Sequence, residues 1–213
     1  MSTRVDAIPD SVVDDFERGN LDPYIIFDGD FSIVSSGSMV LEGDNSLLMD
    51  SDDTTQALFS YPGDGLDNYP KRGQDVRTFV RWETAGEFGI AISGGGSSDK
   101  EPMFNVSCDP TSELRVYTRD DGFSELVSTS ISEETGSYNL GFRWHDNNEV
   151  EGYLMEFGTH DENPQELASV GPVSLPSSLE DARGVGFEGT SSDNAGGYSA
   201  DYIRIMGDVG WDD

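Results

Sequence analysis

The stretch Val76-Arg77-Thr78-Phe79-Val80-Arg81-Trp82 decides the fold, because its side chains divide between two sides with a period of two. Such alternation is typical of a β-strand that buries one face. Val76, Val80 and Trp82 fall on one side, and later segments repeat the pattern. We therefore expect a core between two sheets that contains the following residues: Trp82, Ile90, Val116, Leu140, Phe142 and Ile203.

Outward from this stretch, short runs rich in Val, Ile, Phe and Tyr recur between clusters of Gly, Asp, Asn, Ser and Pro. The predicted strands are Val12–Glu17, Tyr24–Phe27, Phe31–Val34, Ser38–Glu42, Ser46–Met49, Gln56–Ser60, Val76–Glu83, Phe88–Ser93, Met103–Cys108, Glu113–Arg119, Glu125–Ser130, Tyr138–His145, Val150–Phe157, Glu166–Val170, Gly184–Glu188 and Tyr198–Ile205. Regularly spaced short strands without helical patterns predict an all-β protein, an antiparallel two-sheet sandwich or barrel. We expect one domain over residues 12–207, with an N-terminal arm at 1–11 and a C-terminal tail at 208–213.

The charge is extreme, with 42 acidic against 12 basic residues and a formal net charge of -30. Self-repulsion of this size destabilises a compact chain in dilute salt and is screened at molar ionic strength. Adaptation to concentrated salt is the simplest interpretation, and a cationic partner remains open. Disorder is disfavoured because aromatic residues make up 10% of the chain and lie in strand-like runs. No basic segment exists to meet nucleic acid or an anionic bilayer.

Other sequence features limit the setting in which the protein acts. Cys108 is the only cysteine, so no intramolecular disulfide is possible. The start MSTRVDAIPD lacks the apolar core of a secretory signal, and no segment approaches the roughly 20 apolar residues of a membrane span. We expect a protein without membrane insertion that acts in the cytoplasm, leaves by a route without a signal such as virion release, or is part of something larger.

Segments at opposite ends of the chain carry a resemblance. The chain opens with Val13-Asp14-Asp15-Phe16-Glu17 and closes with Asp201-Tyr202-Ile203-Arg204-Ile205, and between them lie Ser38–Gly43 and Phe79–Trp82. This layout resembles the concanavalin A-like jelly rolls, which include laminin G-like modules, legume-type lectins and laminarinase-type glucanases. The resemblance implies that the first and last strands pair.

The resemblance also implies a structural calcium ion where the terminal strands meet. Carried over by position, Asp201 would supply a carboxylate, Gly43 a backbone carbonyl, and Asp15 a carboxylate or carbonyl. Calcium prefers six to eight such oxygen ligands. The alternative is that Asp15 and Asp201 are two more solvated acids in an acid-rich protein.

A catalytic pattern is missing from the sequence. The alternating acids of the glucanases do not occur, and the nearest string, Glu149-Val150-Glu151, lacks the third carboxylate. Glu149 and Glu151 share a strand face, but a solvated strand edge explains them better. No nucleophile elbow, P-loop or HExxH motif is present. These observations favour a protein that is not an enzyme.

One set of residues suggests a binding face. The positions opposite the core side of three predicted strands carry Arg77, Phe79, Arg81, Arg115, Tyr117, Arg119, Arg143 and His145. If the three strands are neighbours, these side chains line one continuous sheet face. Aromatic rings stack on sugars, and arginine forks bind carboxylates or sulfates. The alternative is cross-strand ion pairing with nearby glutamates, or burial of this face against another subunit.

These observations predict a non-enzymatic β-sandwich that binds a glycan or a protein as a structural or receptor-recognition subunit of a larger, oligomeric assembly. The salt chemistry and the resemblance suggest a virion protein of a tailed virus of a halophilic archaeon, in a tail fibre, spike or capsid decoration. An acidic surface glycan or glycoprotein is the expected partner. The alternatives are a glycan-active hydrolase or lyase on the same scaffold, and a cytoplasmic protein with another partner.

Overall fold

A computed structural model describes residues 11–49, 55–96, 98–120, 122–158, 164–191 and 197–208. This part of the chain forms β-strands and one short 3-10 turn at Ser177–Leu179, which confirms the all-β prediction. The strands are β1 (Ser11–Asp14), β2 (Ile25–Asp28), β3 (Phe31–Val34), β4 (Ser46–Met49), β5 (Thr55–Ser60), β6 (Gln74–Trp82), β7 (Gly86–Ser93), β8 (Met103–Asp109), β9 (Glu113–Arg119), β10 (Phe123–Ser130), β11 (Ser137–Trp144), β12 (Glu149–Glu156), β13 (Glu166–Ser174), β14 (Gly184–Ser191) and β15 (Tyr198–Asp208). None of the described helical segments is long and apolar enough to cross a membrane.

Two antiparallel sheets pack face to face. The eight-stranded sheet has the order β13-β12-β11-β6-β15-β4-β3, with β1 paired to β15 beside this path. The seven-stranded sheet has the order β10-β9-β8-β7-β14-β5-β2. The first and last strands therefore pair, as the resemblance implied. The architecture is the predicted two-sheet jelly-roll sandwich.

The core lies between the sheets. All six residues predicted to be buried there are at most 1% exposed, which confirms the assignment of strand faces. Aromatic contacts join the two layers: the ring of Phe104 on β8 lies 5.3 Å from those of both Phe142 and Trp144 on β11. Phe88 on β7 stacks on Tyr198 of β15 at 5.5 Å. These rings fix the two sheets against each other.

The predicted strand at Ser38–Glu42 is wrong, because the structure has turns and bends there. Its apolar residues alternate, but two of its backbone N–H groups are bonded to side chains. The N–H of Leu41 donates to Ser46 Oγ at 3.1 Å, and that of Glu42 donates to Asp201 Oδ2 at 3.0 Å. The described strands run from Ser11 to Asp208. Most of the predicted arm and tail, residues 1–10 and 209–213, lies outside the described residues.

A β-bulge in β15 positions Arg204 on the outer face of the eight-stranded sheet. The register of β15 against β6 shifts between Asp201 and Arg204, and Tyr202 within the bulge has a φ of 50°. This left-handed conformation is unfavourable for a tyrosine. Beyond the bulge, Arg204 lies directly opposite Arg77 of β6. Both side chains therefore share the outer face of the eight-stranded sheet.

Candidate functional site

The predicted continuous face does not exist. Strands β6 and β11 are neighbours in the eight-stranded sheet, whereas β9 belongs to the seven-stranded sheet. Because the two sheets pack through their inner faces, their outer faces point away from each other. Arg115, Tyr117 and Arg119 are thus separated from the remaining predicted residues by the whole sandwich. The prediction was wrong because strand parity does not report which sheet a strand joins.

On the outer face of the seven-stranded sheet, Arg115 is held by carboxylates. Its guanidinium donates to both oxygens of Glu87, with Nε 3.0 Å from Oε1. Glu113 and Glu125 each approach it to 3.5 Å. Ser107 Oγ donates to the same Glu87 Oε1 at 2.6 Å. This geometry is the cross-strand pairing that was the alternative to ligand binding.

A second network on this face surrounds Glu188, whose side chain is only 1% exposed. Arg119 Nε donates to Glu188 Oε1 at 2.7 Å, and Lys100 Nζ lies 3.5 Å from Oε2. The hydroxyl of Tyr117 also donates to Oε1 at 3.1 Å, and Asn105 Nδ2 donates to that hydroxyl at 2.8 Å. Burial raises the pKa of Tyr117 well above its ordinary value, and the charge of Glu188 raises it further. Tyr117 is therefore a buried part of a closed polar network.

Phe123 is the exposed member of this surface. Its side chain is 51% exposed, and its ring lies 5.0 Å from that of Tyr117. The guanidinium carbons of Arg115 and Arg119 lie 5.4 and 5.9 Å from its ring centroid. Sequence reasoning missed Phe123 because the predicted strand began at Glu125, two residues inside the strand that the structure shows.

On the outer face of the eight-stranded sheet, Arg143 is also held by acids. It lies 3.0 Å from Glu151 Oε2, 3.3 Å from Glu166 Oε2 and 3.8 Å from Asp75 Oδ2. Its guanidinium carbon lies 4.7 Å from the centroid of the Tyr153 ring. Burial raises the pKa of Asp75, although hydrogen bonding from Tyr153 and the nearby arginines lower it. Arg143 thus balances a local excess of negative charge.

Arg77, Phe79 and Arg81 follow one another on β6 but have different surroundings. Arg81 pairs with Glu83 at 2.6 Å. Phe79 was predicted to be accessible but is only 3% exposed, since it packs against Phe157 and Tyr202 with ring centroids 5.4 and 6.0 Å away. Arg77 makes no ion pair with a described acid.

His145 does not belong to the binding face. It follows the end of β11 and is 4% exposed. Its backbone N–H donates to the carbonyl of Glu149 at 2.8 Å, and its carbonyl accepts from the N–H of Asn148 at 3.0 Å. The turn between β11 and β12 therefore carries His145 into the interior. The predicted strand Tyr138–His145 was one residue too long at this end.

Acids and one glycine do gather where the terminal strands meet, as the calcium prediction requires. Asp201 is fully buried, and the loop that contains Gly43 crosses it through the hydrogen bond from the N–H of Glu42. Glu17 contributes as well, because its Oε1 accepts from the N–H of Asp44 at 2.8 Å. Asp15 lies one residue beyond the β1–β15 ladder, and its Oδ1 accepts from the N–H of Glu17 at 3.1 Å.

The charges around Asp201, where the terminal strands meet, favour a bound cation, but the hydrogen bonds there compete with it. Burial raises the pKa of Asp201 to about 7, and the charge of Glu17 also raises it. Both carboxylate oxygens of Asp201 already accept hydrogen bonds: Oδ2 from Glu42 and Ser46, and Oδ1 from the N–H of Tyr202 at 2.9 Å. Within the described ranges, no group of three or more His, Cys, Asp or Glu side chains could hold a metal ion. Calcium would therefore rely on Asp201 and backbone carbonyls, and it stays a prediction.

Three carboxylates on the sheets accept hydrogen bonds from neighbouring side chains. Glu151, one of the two strand acids considered above, accepts a hydrogen bond from Arg143. Glu149 accepts from Asn147 Nδ2 at 2.9 Å, and Glu188 is enclosed as described. A general acid or nucleophile must reach the scissile bond of its substrate. These geometries favour structural roles for the three acids.

Comparison with known proteins places the fold. No protein-family model matches the chain, and no curated protein matches its sequence. The chain is similar in structure to the carbohydrate-binding module CBM66 from Bacillus subtilis, with a TM-score of 0.56 and 9% identity over 87% of this chain and 97% of that one. It is also similar to the CBM2 module of the evolved Dit of Lactobacillus casei BL23 phage J-1, with a TM-score of 0.54 and 10% identity over 95% and 98%.

An endo-β-1,4-glucuronan lyase from the fungus Trichoderma reesei is another similar structure, with a TM-score of 0.48 and 13% identity over 85% of this chain and 88% of that one. At these identities the likeness concerns the fold. The chain shares the sandwich fold of CBM66 and of the phage CBM2 module.

Proposed function

We propose that this protein is a non-enzymatic β-sandwich that binds a glycan through the outer face of its seven-stranded sheet. The observation that carries the proposal is the ring of Phe123, which is half exposed and lies within 6 Å of two guanidinium groups. An exposed aromatic ring is a platform on which the apolar side of a sugar stacks. The likeness in fold to CBM66 and to the phage CBM2 module supports this choice of ligand class.

The neighbours of Phe123 would hold the platform in place. Arg115 and Arg119 are tied to glutamates on β7 and β14, so the two arginines gain rigidity from strands that do not touch the ligand. Around the ring, Lys100, Arg115 and Arg119 are matched by Glu87, Glu113, Glu125 and Glu188. Three cations against four carboxylates leave no positive excess here. This surface therefore suits the ring and hydroxyl groups of a sugar better than its acidic group.

Replacement of Phe123 tests the proposal. Phe123→Ala should weaken binding to a responsive glycan about fivefold or more on a glycan array or by calorimetry, because stacking contributes about 1 kcal/mol or more. The melting temperature should change little, since half of the ring is already in solvent. Ile26→Ala is the matched control, because Ile26 is 44% exposed on β2 of the same sheet.

Unchanged glycan binding by Phe123→Ala, with Ile26→Ala behaving in the same way, would refute this surface as the site. By contrast, Tyr117→Ala should lower the melting temperature, because Tyr117 is buried within the Glu188 network. It is therefore unsuitable as a binding variant.

We propose further that the protein is a subunit of a larger assembly, in the virion of a tailed virus that infects a halophilic archaeon. The net charge of -30 and the likeness in fold to a phage module support this context. Its partners would be a surface glycan or glycoprotein and other subunits of the particle. The cytoplasm is the alternative location. We also propose a structural calcium ion beside Asp201, where the first and last strands meet.

Salt should control stability if the acidic surface is an adaptation to brine. The melting temperature should rise steeply from low salt to molar KCl, because the Debye length falls to about 3 Å at 1 M and repulsion among surface acids is screened. A melting temperature that stays flat across this range would contradict the halophilic context. Calorimetry in a KCl series gives the answer without knowledge of the ligand.

A further inference from the structure

Among the described residues, Arg204 is a buried cation with no carboxylate within 4 Å. Its side chain is 6% exposed, and its Nε is buried without a hydrogen-bond partner. The guanidinium carbon lies 4.2 Å from the centroid of the Tyr202 ring and 5.8 Å from that of Phe79. Cation–π contacts offset part of the cost of burial, but they do not satisfy N–H groups.

Arg77 is a second arginine beside Arg204 on this part of the sheet. Arg77 lies directly opposite Arg204 in the pairing of β6 with β15, and both line one small pocket on the outer face of the eight-stranded sheet. The polar contact of Arg77 is a long one, 3.5 Å from Nε to the hydroxyl of Tyr153. Like charges directly opposite each other destabilise a sheet. The two arginines therefore repel across this ladder, and among the described acids Asp75, on the same strand as Arg77, acts on Arg77 without forming an ion pair with it.

The composition of the chain makes this pair unusual. Acidic residues outnumber basic ones 42 to 12, and six other described arginines pair with a carboxylate within 4 Å. Among the described residues, neither Arg77 nor Arg204 makes such a pair. Random placement of so many acids would readily have supplied one. The pocket thus retains positive charge in a protein that is negative elsewhere.

The backbone is distorted at the same point. The bulge holds Tyr202 at a φ of 50°, a left-handed conformation that is unfavourable for a residue with a side chain. The distortion accompanies the shift of register that sets Arg204 opposite Arg77. It also accompanies the stacking of the Tyr202 ring on the Arg204 guanidinium. Bulges re-aim side chains next to functional sites in this way.

We propose that the Arg77–Arg204 pocket binds an oxyanion head group, a carboxylate or a sulfate. The pocket has room for about one water-sized group at its centre, so it admits one oxygen of the head group while the rest of the group stays at the pocket mouth, and it excludes a sugar ring. A guanidinium fork matches the two oxygens of a carboxylate or sulfate, and it does so better than a lysine would. The head group belongs either to a free anion or to an acidic saccharide. The site lies on the sheet opposite Phe123 and is independent of it.

Sulfate is the first probe. Titration of the full-length protein with potassium sulfate against KCl at constant ionic strength should raise the melting temperature and shift the Arg204 Nε–H signal in NMR spectra. Arg77→Gln and Arg204→Lys should each weaken sulfate binding at least tenfold. Arg77→Gln should also raise the melting temperature in sulfate-free buffer, because it removes the repulsion. Arg81→Gln is the matched control on the same strand, since Arg81 is already paired with Glu83.

Equal sulfate binding by wild type, Arg77→Gln and Arg81→Gln would overturn the proposal. Arg204→Lys keeps the charge, so a folding defect in a neutral variant cannot imitate the result.

Glucuronate and glucose distinguish the two sources of the head group. If the anion is carried by a saccharide, oligomers of glucuronic acid should bind at least tenfold more tightly than inorganic sulfate, with glucose inactive. Comparable affinities for the oligomers and for inorganic sulfate would indicate that the pocket binds free anions, which agrees with the proposal. No binding of glucuronate, sulfate or acetate would refute it. Phe123→Ala should leave all of these titrations unchanged, so failure here and failure of the proposed glycan surface can be told apart.

Discussion

Glu188 and Asp201 are both buried carboxylates, on the outer faces of opposite sheets, and their neighbours differ. Glu188 is held between the cations of Arg119 and Lys100. Asp201 accepts hydrogen bonds from N–H and O–H groups, while the charge of Glu17 acts against its ionisation. The outer face of the seven-stranded sheet therefore has its charges matched internally. On the outer face of the eight-stranded sheet, Arg143 is matched by acids, but among the described residues Asp201 forms no ion pair, and neither Arg77 nor Arg204 does.

This difference separates structural charges from charges that are available to ions. Removal of one member of a buried ion pair strongly destabilises a protein, and Glu188 already has Arg119 and Lys100 as cationic partners. The unmatched charges of the other sheet would be stabilised by an ion of the opposite sign. The same residue type thus has two roles: Arg115 holds strands together, and Arg204 is a candidate ligand-binding residue. Charge balance distinguishes them, and residue type does not.

The largest effect should come from breaking the matched face. Glu188→Ala should lower the free energy of unfolding by up to about 5 kcal/mol, because it leaves Arg119 and Lys100 partly buried without their carboxylate. Urea unfolding in molar KCl measures this loss. Glu83→Ala is the control, since its pair with Arg81 is exposed and contributes about 0.5 kcal/mol. If the two substitutions lower the free energy of unfolding equally, the Glu188 network does not stabilise the protein more than an exposed ion pair does.

Much of the fold follows from the sequence because strand alternation is local. The faces of β6 could be assigned from Val76 to Trp82 alone, and both residues are buried as expected. The segment Ser38–Glu42 has the same alternation, yet it is not a strand. Its Glu42 N–H is bonded to Asp201, a side chain 159 residues away in sequence. Local pattern carries no information about such a partner.

The candidate site was harder to predict for the same reason. Arg77 and Arg115 have equivalent parity on their strands, but sheet membership separates them by the thickness of the sandwich. Arg204 stands between Ile203 and Ile205, and this alternation was a visible signal that it points away from the core. Its importance arises from the missing acid beside it, which only three-dimensional structure reveals. Phe123 was missed because its strand begins next to a turn.

A smaller effect should appear on the unmatched face, through the pH dependence of Asp201. Its pKa is raised in the folded protein from the ordinary 3.8 to about 7, so folding favours the protonated form. The stability from this group is complete below pH 4 and is lost as the pH rises from about 4 to about 7. A shift of about three pKa units corresponds to at most about 4 kcal/mol. Asp201→Asn should remove this part of the slope in chemical unfolding measured in molar KCl with a chelator present.

The response to calcium tests the same comparison between Asp201 and Glu188. A cation at the corner of Asp201 would favour the ionised carboxylate, lower its pKa and reverse the slope, so that stability would rise with pH in the presence of calcium. Glu188 already has its cations, so Glu188→Gln should not alter the response to calcium. If calcium changes neither the melting temperature nor the pH profile of the wild type, no calcium ion binds beside Asp201. The hydrogen bonds of Asp201 then hold the loop of Glu42 to the last strand without a metal ion. Asp201→Asn would then lack the slope between pH 4 and pH 7, and it would also be less stable across the whole range, because its amide NH2 group cannot accept the hydrogen bonds of one of the two carboxylate oxygens.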